Sequence, residues 1–191
     1  MKLLIKNGRI VDPSQNLDKV MDLLLADGKV AKLAEHITDV ADETYDASGK
    51  VVAPGFIDMH THMREPGLEA KESIRTGTMA AAAGGITTIA CMPNTKPAVS
   101  NSIVVTGIKA RAAEEGYANV EVIGSISKDQ KGTELAEMGD MLEKGAVAFS
   151  DDGHYVDSSR LLLNAARYIS NFGAPLISHS IESELNADGY M

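Results

Sequence analysis

From residue 53 onward the chain alternates short apolar runs with helical stretches, and no other feature narrows its fold as far. Strands are predicted at 55–60, 87–91, 120–124, 147–150 and 175–179, with helices between them at 71–83, 102–115, 133–144 and 159–172. Such alternation means parallel strands, which leaves a (β/α)₈ barrel and a doubly wound sheet as the architectures to choose between. Gly84-Gly85, Gly116 and Gly145 follow the first three helices, as expected of C-termini released by a residue tolerant of positive φ. The alanine-rich stretch 79–83 reads as a close-packed helix face.

Residues 1–52 are organised differently. Short strands at 3–6, 19–25 and 29–33 are separated by turn signals at Asn7-Gly8 and Asp27-Gly28, and the second of these predicts a tight hairpin. Residues 1–52 and 53–191 are therefore expected to form separate units, the first with a structural role. Hydrophobic residues make up 44% of the chain, enough for an ordinary globular core. The formal net charge of −9, with no basic cluster, argues against nucleic acid and anionic lipid as partners. Cys91 is the one cysteine, so no internal disulfide can form, and charge interrupts the apolar residues of MKLLIKNGRIVD before a signal-peptide core develops. Without an apolar run of about 18 residues no transmembrane helix is expected. A cytoplasmic location follows as the expectation.

Chemistry gathers at the strand ends. The run 54–67, PGFIDMHTHMREPG, closes the first barrel-type strand with His60 and His62. Alternate residues of an extended strand point to one side, so this pair can grip one metal ion, and neutral imidazole makes zinc the first choice. Asn94 follows the second strand, Asp151-Asp152 the fourth, and His179 closes the fifth, all at the C-terminal rim where barrel enzymes keep their reactive groups. Taken singly, Asp151-Asp152-Gly153 would be ordinary turn chemistry and His179 a satisfied core histidine. Arg64 suits a bidentate grip on a planar carboxylate, or a surface salt bridge with Glu65. Cys91 reads as a small buried hydrophobe outside the site, and His36 and His154 as solvent-facing.

The run 54–67 resembles the opening metal motif of the amidohydrolase superfamily, and Arg64-Glu-Pro-Gly67 narrows the likeness to the cyclic amidases: dihydroorotases, allantoinases and hydantoinases. Met92-Pro-Asn-Thr95 is similar to a dihydroorotase signature and favours that family. The resemblance extends from Met1 to Met191. It implies an α/β fold, the amidohydrolase-type (β/α)₈ TIM barrel, here incomplete at about five strands, with residues 1–52 as part of a small N-terminal β-sandwich. It implies metal ligands at His60, His62, Asp152 and His179. No lysine stands at the fourth strand end, so an aspartate must supply the bridging carboxylate, and the family register favours Asp152 over Asp151. Ser180 stands where many relatives carry alanine. Substrate contacts are implied for His62, Arg64 and Asn94, the asparagine on a substrate carboxylate.

The implied activity is the zinc-dependent, reversible cyclisation of N-carbamoyl-L-aspartate to L-dihydroorotate in pyrimidine biosynthesis. Two zinc ions about 3.5 to 4 Å apart would hold a bridging hydroxide and polarise the ring carbonyl. The acid/base aspartate of strand eight and a metal histidine of strand six are expected beyond residue 191, so these residues alone are expected to be inactive or poorly folded. Two other readings stand beside this one: an allantoinase- or hydantoinase-type amidase, and a non-catalytic dihydroorotase-like partner of aspartate transcarbamoylase. The four intact metal positions favour descent from an active enzyme. The partner expected first is a small-molecule substrate, with a homo-oligomer or a transcarbamoylase association left open.

Overall fold

A computed structural model describes residues 1–181. It contains two compact units, Met1–Gly55 and a second that begins at Phe56.

The first unit is built around β1 (Lys2–Asp12), the longest strand. β1 pairs antiparallel with β2 (Leu17–Ala26) and, at its other edge, parallel with β4 (Glu43–Asp46) and β5 (Val51–Val52). β3 (Lys29–Ala34) extends the sheet beyond β2 through the hairpin expected at Asp27-Gly28. Ala26 pairs with Lys29, and the two turn residues have φ of 50° and 75°, the left-handed pair that matches the twist of hairpin strands.

The turn expected at Asn7-Gly8 is a bulge instead. β1 runs on through these residues, its register against β2 slipping between Ile5 and Gly8 with Asn7 at φ 60°. The N–H that the bulge frees is taken up by the buried carboxylate of Asp22, which accepts from Asn7 N at 2.9 Å and from Ile37 N at 3.0 Å. β4 has no apolar alternation and all four of its residues are exposed, so no pattern announces it.

The second unit alternates strand and helix as the sequence predicts: β6 (Phe56–Thr61), α1 (Ile74–Ala83), β7 (Ile86–Cys91), α2 (Ser102–Glu115), β8 (Asn119–Gly124), α3 (Met138–Glu143), β9 (Ala146–Ser150), α4 (Ser159–Ser170) and β10 (Leu176–Ile177). The strands are all parallel, in the order β10-β9-β8-β7-β6, and the sheet curls into part of a barrel. Its main core lies between sheet and helices, where Ile89, Val122 and Phe149 meet Ile74, Val105, Met141 and Ile169. A smaller cluster of Met92, Ile123 and Ala148 packs separately, with Ala90 and Ile177 against it.

Three helical details depart from the sequence expectation. α1 starts at Ile74 and not at 71, because Ser73 and Thr76 form a reciprocal capping box. Its alanines are not a packed face: Ile74, Gly77, Thr78 and Ala81 make the buried stripe at helical spacing, and Ala80, Ala82 and Ala83 are exposed. α3 is a short helix because residues 134–136 pair back with 126–128, in the segment just after β8. Lys128 N donates to Glu134 O, Ala136 N donates to Ile126 O, and Ser127 bridges Leu135.

Burial pushes the Asp22 carboxyl up, but the two backbone donors, with the charges of Lys6 and His36, outweigh it and hold the group below the usual carboxylate range. A lowered folded pKa stabilises above the unfolded value near about 3.9 and loses that contribution as pH falls through the lowered one. Asp22→Asn is therefore expected to cost about 1–3 kcal/mol at pH 7. Denaturant melts of both proteins should converge only as pH falls through that lowered pKa, once the native aspartate is protonated as well.

Candidate metal and substrate site

The candidate side chains predicted from the strand ends lie at one rim of the curled sheet. His60 is in the last turn of pleat of β6 and His62 stands one residue past Thr61, with ring centroids 5.2 Å apart at 64°. Two bonds tie this end of β6 to β7: Thr61 Oγ1 donates to Ala90 O, and Met92 N donates to Thr61 O, each at 2.9 Å. The Asp58 carboxylate accepts from His60 N, fixing the strand end on its other flank.

Asp152 lies at the centre. His60 Nε2 is 3.3 Å from its Oδ1, His62 Nε2 is 3.4 Å from its Oδ2, and His179 Nδ1, just beyond β10, is 3.7 Å from Oδ1. His60, His62 and Asp152 each offer one ligand atom within 4.8 Å of the others, a group that could hold a metal ion. Asp152 is 7% exposed and Asp151 2%, yet their partners differ completely. Asp151 turns away from the imidazoles and accepts from Ile126 N at 2.8 Å and Ser127 N at 3.1 Å, with the Ser127 hydroxyl also bound. It anchors the loop after β8.

Asn94, in the loop after β7, locks the imidazole of His62. Its Nδ2 donates to Asp152 Oδ2 at 3.4 Å, which leaves Oδ1 to accept from His62 Nδ1–H at 2.9 Å. In that tautomer His62 Nε2 carries a lone pair aimed at a carboxylate oxygen. With a neutral imidazole, the two acceptors facing each other at 3.4 Å would be satisfied by a cation bound between them. The spacing agrees with this, since atoms bound to one tetrahedral zinc at about 2.0–2.1 Å lie about 3.3–3.4 Å from each other.

Arg64 is half-buried in the loop after β6, at φ 58°, and among the described residues its guanidinium has no hydrogen bond or ion pair. The salt bridge with Glu65 considered from the sequence does not form, because Glu65 is taken by Arg111 at 3.0 Å and by Ile74 N at 2.9 Å. Loop packing is tight here: Gly67 has φ 89°, and a Cβ on it would lie 1.9 Å from Lys96 O. His36 and His154 are exposed, as expected. Gln130 was not foreseen; its Nε2 donates to the backbone oxygen of Asp152 at 3.2 Å, across 22 residues of sequence with no local signal.

Half of a parallel (β/α) barrel with histidines and an aspartate converging at the strand ends is the architecture of the amidohydrolases. The dihydro-orotase-like family matches residues 49–190, and the chain belongs to that family. It is 51% identical over its full length to a dihydroorotase of Pelotomaculum thermopropionicum and 50% identical to one of Geobacter sulfurreducens. It spans 44% and 45% of the length of these two relatives. Among solved structures, an L-hydantoinase (dihydropyrimidinase) from Arthrobacter aurescens superposes with a TM-score of 0.82 at 26% identity, over 98% of this chain and 44% of that one. Among the described residues no helix is long and apolar enough to cross a membrane.

Cys91, on β7 beneath this rim, is a buried member of the helix-side core, as expected, and burial pushes its thiol up to about 11. At pH 8 about a thousandth would be thiolate. A disulfide-exchange reagent should therefore leave it unmodified in the native protein and titrate one thiol after denaturation.

Proposed function

We propose that this chain is the N-terminal portion of a zinc-dependent dihydroorotase, which interconverts N-carbamoyl-L-aspartate and L-dihydroorotate in cytoplasmic pyrimidine biosynthesis. The observation that carries the reading is the convergence of His60, His62 and His179 on Asp152, with Asn94 setting the His62 tautomer. His60, His62, Asp152 and His179 would hold the metal, which when bound supplies a Lewis acid and a water acidic enough to ionise near neutral pH. Neutral imidazoles and a carboxylate oxygen are the donor set zinc prefers.

The remaining roles belong to side chains beside this cluster. Arg64, uncommitted among the described residues, would take a substrate carboxylate in a bidentate grip. Asn94 would donate to the same end of the substrate through Nδ2, whose contact with Asp152 is the longer of its two. His62, between Asn94 and Asp152, would border the bound ring. Proton transfer to and from the ring nitrogen needs an acid/base carboxylate, and we place it outside these residues. A dihydroorotase-like scaffold would have no use for an uncommitted arginine beside three converging imidazoles, which supports the catalytic reading.

The test joins this chain to the part of the Pelotomaculum thermopropionicum relative that lies beyond the matched stretch. The hybrid should hydrolyse dihydroorotate and leave allantoin and hydantoin untouched, while residues 1–191 alone show no turnover. Asp152→Ala in the hybrid should abolish metal retention on gel filtration and lower turnover by at least about 10³-fold. Turnover of hydantoin in place of dihydroorotate would overturn the substrate, and an unaltered metal content in Asp152→Ala would overturn the site.

A further inference from the structure

We infer that Glu65 and Arg111 form a positioning couple that aims Arg64 at the substrate, a role that rests on the reading of Arg64 as the carboxylate clamp. The loop that carries Arg64 is fixed on both sides of that residue and nowhere through its own side chain. On the N-terminal side His62 is bound by Asn94, and the buried side chain of Met63 packs so closely on α1 that a Cβ at Gly77 would lie 2.4 Å from its sulfur. On the C-terminal side Lys96 N donates to Pro66 O at 2.9 Å, and Gly67 passes against Lys96 O with no room for a side chain. Arg64 itself stands at φ 58°, in the left-handed region that an arginine adopts only when its neighbours impose it.

The turn at Arg64 is closed by Glu65 N, which donates to Met63 O at 2.7 Å, and the Glu65 side chain anchors it from outside. Its carboxylate, mostly shielded from solvent, spans two helices: Oε2 accepts from Ile74 N at the start of α1, and Oε1 accepts from Arg111 Nε on α2 at 3.0 Å. Arg111 is in turn held by two acids of its own helix, Glu115 at 3.2 Å and Glu114 at 3.5 Å. The Glu65 side chain is thus fixed from outside the loop, and with Glu65 N bonded to Met63 O the turn at Arg64 cannot open without straining one of two charge-assisted bonds. An arginine so mounted keeps its guanidinium free for a ligand. Arg111 lies on α2, away from the described metal group, and acts on the substrate only through Glu65 and Arg64.

A double-mutant cycle in the active enzyme, this chain completed as above, tests the inference. Arg64→Ala should raise the KM for dihydroorotate strongly. Arg111→Ala should raise KM about tenfold, the usual scale for a displaced positioning group, with unaltered metal content. Combined with Arg64→Ala it should add almost nothing, since the group it positions is gone. Arg111→Lys should restore most of the loss. Glu65→Gln, which keeps an oxygen for Ile74 N and weakens the bond to Arg111, should reproduce the KM effect if Arg111→Ala folds poorly. Multiplicative KM effects of Arg64→Ala and Arg111→Ala, or an Arg111→Ala loss confined to melting temperature, would overturn the couple and leave the clamp standing. An Arg64→Ala enzyme with unchanged KM would overturn both.

Discussion

The curl of the parallel sheet is the constraint on which the site depends. In a flat sheet the three spacings of about 4.8 Å from β6 to β9 would set those strands about 14 Å apart, and β10 one spacing further. Yet His60 Nε2 lies 3.3 Å from Asp152 Oδ1, and His179 Nδ1 reaches the same oxygen at 3.7 Å. Side chains cannot bridge that gap alone; the strands must bend toward a common axis. The bend has local causes. The register slips between Asp58 and Thr61 on β6 against β7, and again between Val122 and Ile123 on β8 against β9, each slip adding twist where the sheet turns. The cluster is therefore a product of strand pairing first and of ligand chemistry second.

Two adjacent carboxylates at the end of β9 show how neighbouring aspartates acquire different tasks. A buried anion must be compensated, and lysine or arginine is absent from both partner sets. Asp151 is compensated by backbone amides and a hydroxyl, groups that cannot leave, so it welds the loop after β8 to the strand end. Asp152 faces imidazoles at 3.3 to 3.7 Å, longer than the about 2.7–2.9 Å of a charge-assisted hydrogen bond. Apart from the long 3.4 Å bond from Asn94 Nδ2, Asp152 thus has room for a cation among the imidazoles, where Asp151 has none. Asp22 in the first unit repeats the structural solution, with two backbone donors closing a bulge and a loop.

Much of this was legible in the sequence wherever a local pattern carried it. Strand-helix alternation located β6 to β10, the Asp27-Gly28 pair gave its hairpin, and His60, His62, Asp152 and His179 lay where the strands had to end. Features decided by distant partners were not legible. Asn7-Gly8 has the composition of a turn and becomes a bulge because Asp22, fifteen residues away, accepts its amide. Residues 134–136 have helical composition and pair instead with 126–128, in the segment just after β8. Arg111 reads as one more charge on an exposed helix, and its bond to Glu65 crosses 46 residues. Asn94 is intermediate: its motif placed it at the site, while its hold on His62 needed coordinates.

The same geometry shows what the described residues bring together on their own. A metal group needs ligands from strands whose ends meet, and β6, β9 and β10 already meet within the described residues. The loop after β6, which carries Arg64, is held by α1, by α2 and by the loop after β7. Neither arrangement calls on a closed barrel. Among the described residues β6 is an edge of the sheet, and its Phe56, Ile57 and Met59 are exposed. An uncovered apolar edge is an aggregation hazard that a further strand would remove.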